Sequence, residues 1–334
     1  LILSLDHFDS ASRVEEGNRF LIGNGHLGYR GVLEEEGKEA LKGFNLVGVY
    51  DRYQDKWRES LNLPDPLCFR TDFEGKEEDV NAISPLSHHL NLHLEKGLWE
   101  RESEFPHYFL HSERFLSQVD KRLLCSKLSI TALQSGHFEF CFGLDTDVYD
   151  INGPHFKNKK IEAQGSTLLF EGTTNEGKTL YEKVSYRLNG QELNQSSKDG
   201  FFLLSRDLST GESLSLEIFA LVGESLGELS LPLKLDYETQ KKAHVDVFSA
   251  LFCSSNVTLQ GEEGVNLETS YAIYSLLILG DSSHNRSIPA RGVSGQTYKG
   301  AIFWDSEIFL LPFFALTNPN VARSLLKYRI ATLL

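Results

Sequence analysis

The chain has 334 residues, 40% of them hydrophobic and 24% charged, a globular composition with room for two domains of ordinary size. Its 33 Lys+Arg against 47 Asp+Glu give a formal charge of -14, a surface that repels phosphate backbones and anionic lipid. No nucleic-acid or membrane partner is expected, and a neutral small molecule such as a sugar is a compatible ligand.

The opening Leu1–Ser10 carries no basic region and no small-residue cleavage site, so no signal peptide is read there. Met is missing from the whole sequence, which predicts that Leu1 is not the natural start. Gly23-Asn24-Gly25-His26-Leu27-Gly28 matches G-x-G-x-x-G, follows the apolar run Phe20–Ile22, and has Asp51 further on. A dinucleotide site needs a helix opening at the third glycine, whereas Tyr29-Arg30-Gly31-Val32 continues as strand. A glycine-rich hairpin is predicted instead.

From about residue 85 to 235 the sequence alternates as half-buried strands do. His89-Leu90-Asn91-Leu92-His93-Leu94 puts three leucines on one face and three polar residues on the other. Lys127–Ala132, His137–Phe142, Ser166–Phe170, Phe201–Arg206 and Ser213–Leu221 repeat the pattern, separated by Gly/Ser/Asn/Asp breaks. Many short strands at this spacing indicate a sandwich or barrel. His89 and His93 stand too far apart on one strand to share an ion, so no metal site is predicted. His111-Ser112-Glu113-Arg114 has triad-like letters, but neighbours in sequence do not supply triad geometry. The scattered Cys68, Cys125, Cys141 and Cys253 suit buried free thiols in a reducing compartment, so a cytoplasmic location is expected.

Near residue 236 the period changes. Tyr237–Phe252 reads as a helix with Ala243, Val247, Ala250 and Leu251 on its apolar side, and Val265–Leu279 as a second with Leu267, Tyr271, Tyr274 and Ile278. Asn318-Pro319 gives a helix start, with Val321, Ala322, Leu325 and Leu326 on the apolar side that follows. The longest apolar stretches, Ile308–Leu316 and the neighbourhood of Leu276–Leu279, fall well short of the ~20 residues a membrane helix needs.

Between the second helix and the last lies Ile288-Pro289-Ala290-Arg291-Gly292-Val293-Ser294-Gly295-Gln296-Thr297-Tyr298-Lys299-Gly300-Ala301-Ile302-Phe303-Trp304-Asp305-Ser306-Glu307, dense in aromatic and charged residues. A connection this long is functional or disordered, and its aromatic content argues against disorder. A Trp face can take the C–H surface of a sugar, and a neighbouring carboxylate can accept from two adjacent hydroxyls. Trp304 and Asp305 supply both. The plainer reading has Trp304 in the core and Asp305 capping a helix over Ser306–Leu316.

Arg291-Gly292, Tyr298-Lys299-Gly300, Phe303-Trp304-Asp305-Ser306-Glu307-Ile308-Phe309, Pro312-Phe313-Phe314, Asn318-Pro319, Ala322-Arg323 and Tyr328-Arg329 resemble glycoside hydrolase family 65, the family of the maltose, trehalose, kojibiose, nigerose and glucosylglycerol phosphorylases. Phe20-Leu21-Ile22-Gly23-Asn24-Gly25-His26-Leu27-Gly28-Tyr29-Arg30-Gly31 is similar to that family's opening signature. The resemblance runs from end to end and in the family's order. It implies a multidomain β + α fold: an N-terminal antiparallel β-sandwich (1–236), a helical linker (237–262) and the start of an (α/α)6 barrel (263–334). It further implies inverting phosphorolysis of an α-linked disaccharide to β-glucose 1-phosphate and an acceptor sugar, with inorganic phosphate as co-substrate and no cofactor, in a homodimer.

By residue, the resemblance places Trp304 and Asp305 at the non-reducing glucose, with Tyr298, Lys299 and Glu307 as further substrate-binding candidates. The family's general-acid motif, which resembles "GPDEYHE", and its later phosphate-binding residues are not found in the sequence, so the general acid is expected beyond Leu334. An inverting α-glucoside hydrolase and a non-catalytic carbohydrate-binding protein are the alternatives.

Overall fold

The computed structural model describes residues 1–193, 195–230, 235–294 and 298–333, with the side chains of Ser294 and Lys299 outside the description. Alternating apolar residues between 85 and 223 build a ten-stranded antiparallel sheet. Its order is Ile2–Leu5, Ser87–His93, Leu98–Glu104, Tyr108–Leu116, Leu123–Ala132, Ser213–Gly223, Thr179–Leu188, Thr167–Thr174 and Phe156–Gln164, with the short Gln191–Glu192 paired to Thr179–Leu188. A four-stranded sheet, Phe201–Leu208, Gly136–Asp145, Asp65–Phe73 and Lys76–Glu77, packs over it. Rings from the two sheets meet across the core: Phe142 lies 5.6 Å from Tyr186, and Tyr108 6.4 Å edge-on to Phe138. Each such ring removed from water contributes about 2 kcal/mol, so this sandwich core holds the domain together.

Period-2 geometry decides what each strand offers to which side. Along Tyr108–Leu116, Leu110, Ser112 and Arg114 turn inward while His111 and Glu113 turn to the outer face. The triad-like letters 111–114 are thereby split between opposite faces. Inside, fully buried Arg101 binds Glu34 at 2.8 Å and Glu35 at 2.7 and 3.0 Å, and Ser112 donates to Glu34 at 2.7 Å. The Arg114 guanidinium lies 3.6 Å above the Trp99 ring. Buried charges persist only when paired in this way.

Among the described residues there are five α-helices: α1 (Arg13–Arg19), α2 (Tyr237–Ser255), α3 (Glu263–Leu277), α4 (Leu311–Thr317) and α5 (Pro319–Thr332). Asp236 caps α2 by accepting from the Thr239 amide at 2.9 Å. The buried side of α2 is Tyr237, His244, Phe248 and Phe252, not the expected Ala243, Val247, Ala250 and Leu251; Val247 is 39% exposed. The larger rings win because the outer sheet face offers a recess. Phe115 stacks on His244 at 4.6 Å, and Phe248 fills the space a side chain at Gly97 would need. On α3, Tyr274 and Tyr271 donate their hydroxyls to the carbonyls of Leu21 and Arg19, each at 2.9 Å, tying the helix to the sandwich. The expected helix over Ser306–Leu316 is a turn of π-helix, Ser306–Leu310, running into α4.

Phe314, Val321, Ala322 and Leu325 bury a small separate core with Ile288. Among the described residues no helix is long and apolar enough to cross a membrane. Cys68 and Cys125 are buried free thiols as expected, whereas Cys141 is half-buried and Cys253 exposed.

Candidate functional site

The glycine-rich opening motif is a docking surface between sandwich and helices. Ile22–Gly23 pairs with Leu27–Tyr29 as a hairpin, so no helix opens at Gly28. Asn24 Oδ1 accepts from the amides of His26 and Leu27 at 3.0 and 2.8 Å, holding the turn. Gly28 faces Val293 so closely that a Cβ would lie 2.6 Å from the Val293 Cβ. The motif glycines thus let residues 278–293 lie directly on the sandwich. His26 stacks on His284 at 4.6 Å; burial and the Arg286 charge push its pKa down to about 4.

The stretch 288–307 crosses this junction in short 3-10 turns, Gly292–Ser294 and Tyr298–Gly300. The Ala290 amide donates to Ala301 O at 3.0 Å, and Ser306 Oγ to Ile288 O at 3.0 Å, closing the segment into a loop pinned at its base. Gly295, Gln296 and Thr297 lie outside the described residues.

Trp304 is 62% exposed, with its ring 6.3 Å from that of Phe309. Asp305 is exposed, heads the π-turn without a side-chain capping bond, and meets no hydrogen-bond or ion-pair partner among the described residues. Within residues 1–334, therefore, Trp304 does not pack into a core and Asp305 makes no side-chain cap. An exposed carboxylate can accept two hydroxyls, and an exposed indole can take an apolar sugar face.

The other candidates differ from these two. Tyr298 is 59% exposed, sits at φ 53°, and meets Phe303 edge-on at 5.9 Å. Glu307 is engaged: Arg329 on α5 binds its two oxygens at 2.8 Å each and donates to Phe303 O at 2.5 Å. Glu307 therefore fixes the loop to α5. The Lys299 side chain lies outside the description.

Sequence reasoning missed the hairpin of the sandwich that abuts this loop, Tyr50–Asp51 paired with Glu59–Ser60. Tyr50 donates its hydroxyl to Gly300 O at 2.7 Å, and burial, with the neighbouring Tyr328, pushes its pKa up to about 12. The only sequence signal was Gly300 itself: it holds φ 72° and approaches Tyr50 and Ser60 so closely that a Cβ would stand 2.8 and 3.0 Å from them.

Residues 3–256 match the family model "Glycosyl hydrolase family 65, N-terminal domain", and residues 270–334 match "Glycosyl hydrolase family 65 central catalytic domain". The chain is 34% identical to nigerose phosphorylase of Lachnoclostridium phytofermentans, over 99% of this chain and 50% of that protein. It is 27% identical to kojibiose phosphorylase of Halothermothrix orenii, over 99% of this chain and 47% of that one. A solved structure from the human microbiome, described as a candidate kojibiose phosphorylase, superposes with a TM-score of 0.85 at 17% identity, over 98% of this chain and 48% of its own. The chain spans about half the length of the curated relatives it matches.

Proposed function

The chain belongs to glycosyl hydrolase family 65, and from that premise we propose that the protein is an inverting α-glucoside phosphorylase. On this reading it converts an α-linked disaccharide and inorganic phosphate to β-glucose 1-phosphate and the acceptor sugar. Residues 1–236 form the sandwich, 237–262 the linker, and 263–334 begin an (α/α)6 barrel. A homodimeric state and a cytoplasmic location come with the same reading, as does the absence of any cofactor besides phosphate.

One observation supports the proposal: Trp304 and Asp305, consecutive in the chain, are both exposed, and the Asp305 carboxylate meets no hydrogen-bond or ion-pair partner among the described residues. They bind the non-reducing glucose, with Tyr298 and Lys299 as further substrate-binding candidates and Glu307 placing the loop. Phosphate is already anionic and needs no general base to attack the anomeric carbon. The reaction is inverting glycoside cleavage with phosphate in the place of activated water. A carboxylic acid protonates the leaving oxygen, and that acid belongs to the family's later motif.

Replacing Asp305 by Ala in the full-length enzyme tests the assignment. Loss of two charge-assisted hydroxyl bonds costs about 2–4 kcal/mol of transition-state stabilisation, a drop in kcat/KM of at least ~30-fold, with the melting temperature unchanged. Unchanged turnover would remove Asp305 from the site.

A further inference from the structure

The opening hairpin and the segment after α3 meet backbone to backbone. Gly25 holds φ 82°, and a Cβ there would stand 2.3 Å from the carbonyl carbon of Gly280. That closeness lets two buried side chains face each other across the domain junction: His26 from the hairpin turn, 4% exposed, and Asp281, 8% exposed. His284 joins them from the solvent side, with 44% of its side chain exposed. One ligand-capable atom from each of the three lies within 4.8 Å of the other two.

The His26 ring has an unmet requirement. Its Nδ1 is buried and has no hydrogen-bond partner among the described residues. Asp281 Oδ2 stands 3.8 Å from it, beyond hydrogen-bond reach. Buried polar atoms are otherwise almost always partnered, so an orphan of this kind calls for a cause. The carboxylate is held in place, since Asp281 Oδ1 accepts from the Ser283 amide at 2.9 Å and from the Ser283 hydroxyl at 2.6 Å. Asp281 Oδ2 also lies 3.3 Å from His284 Nδ1. Two imidazole nitrogens thus bracket one carboxylate oxygen. Both spacings are close to the ~3.4 Å between atoms that share a tetrahedral ion through bonds of about 2.1 Å.

Two protein cations stand nearby, each bonded to other acceptors. Lys121 donates to Asn24 O at 2.9 Å and to Gln118 at 2.5 Å, and Arg286 to Val47 O at 2.6 Å and to Glu224 at 3.2 Å. Their charge disfavours an ion held by electrostatics alone. Bonding to imidazole nitrogen then decides the selectivity, and it favours a zinc-class ion over calcium or magnesium.

We propose that His26, Asp281 and His284 bind a divalent transition-metal ion of the zinc class, which ties the sandwich hairpin to the chain entering the 288–307 loop. The proposal is independent of the sugar-binding reading of that loop. The two imidazoles are stacked at 4.6 Å with their planes 20° apart, so in this arrangement they do not both aim a lone pair at one point. His284, at the surface, turns out of the stack to bind, while the buried His26 and Asp281 keep their places. Its backbone stays anchored, because the Ser324 hydroxyl on α5 donates to His284 O at 2.5 Å. The fourth position falls to water on the exposed side, and the ion's role is structural.

The full-length enzyme, freed of metal with a chelator, is titrated calorimetrically with Zn2+. A single ion per chain is expected to bind and to raise the melting temperature, as an ion that binds only the folded state does. His284→Ala, at an exposed position, is expected to fold as the wild type and to bind Zn2+ at least about tenfold more weakly, as is Asp281→Asn. Co2+ in place of Zn2+ gives a second readout: the visible d–d absorption of the wild-type complex should change in His284→Ala. An absence of Zn2+ binding by the wild type would overturn the proposal. Undiminished binding in either variant would also overturn it, placing the ion elsewhere, such as at Glu100 between His93 and His111 on the outer sheet face.

Discussion

Tyr50, in the sandwich, donates its hydroxyl to the carbonyl oxygen of Gly300, in the loop between α3 and the π-turn, at 2.7 Å. The two residues are 250 positions apart, so this bond joins the first domain to the segment that carries Trp304 and Asp305.

Tyr50→Phe removes that hydrogen bond while keeping the ring. The expected cost is about 1 kcal/mol, read as a KM several-fold higher with little change in kcat. Gly300→Ala is harsher, because a Cβ would stand 2.8 Å from the Tyr50 ring on a backbone at φ 72°. The left-handed conformation alone costs about 1–2 kcal/mol. Kinetics on both variants check the ordering, with the alanine variant the weaker.

Glu307 and Asp305 should respond differently to mutation although they are two residues apart. Glu307 is paired with Arg329, and that guanidinium also holds Phe303 O. Arg329→Ala and Glu307→Ala should each lower the melting temperature, as loss of a positioning contact does, whereas Asp305→Ala should not. Differential scanning calorimetry of the three variants separates the roles.

Buried His155, with Nδ1 2.9 Å from Asp51 and Nε2 2.8 Å from Glu59, gives a pH dependence whose sign follows from its surroundings. Burial opposes the charged imidazole, but the Glu59 bond, the Asp150 charge and the Asp51 bond outweigh it and raise its pKa to about 9. A group whose pKa is raised on folding contributes stability in full below its unfolded value near ~6.5, and that contribution is lost as pH climbs through the folded value. Chemical denaturation should show about 3 kcal/mol of this stability at pH 6.5 fading by pH 10. His155→Gln should flatten that slope.

Arg101 is the keystone of the buried charge cluster in the sandwich. Arg101→Met removes the cation bound to buried Glu35 and leaves Glu34 only Arg114, at 3.6 Å, and the Ser112 hydroxyl, and should destabilise by about 3–5 kcal/mol. Urea unfolding of the chain measures it directly, and a loss under ~1 kcal/mol would contradict the pairing described here.

The strands were legible in the sequence because alternation is a local property: Leu90, Leu92 and Leu94 are all fully buried, as their spacing required. The α2 face was misread because its packing is set by a partner the sequence does not place beside it. His244 counts as polar in a periodicity, yet it stacks on Phe115. At the candidate site, Trp304 and Asp305 could be singled out from their letters and their resemblance to a family. The hairpin at 50–60 could not, since its relation to Gly300 exists only once two domains are folded together. The glycines of the opening motif carried a dual message: the spacing that imitates a dinucleotide loop is the spacing that lets Val293 approach Gly28.

The most direct test of the central claim is incubation of the full-length enzyme with nigerose, kojibiose, maltose and trehalose, with and without inorganic phosphate. An inverting phosphorylase forms β-glucose 1-phosphate from one of these sugars, and only when phosphate is present. Free glucose released equally well without phosphate would contradict that assignment, as would no turnover of any of the four.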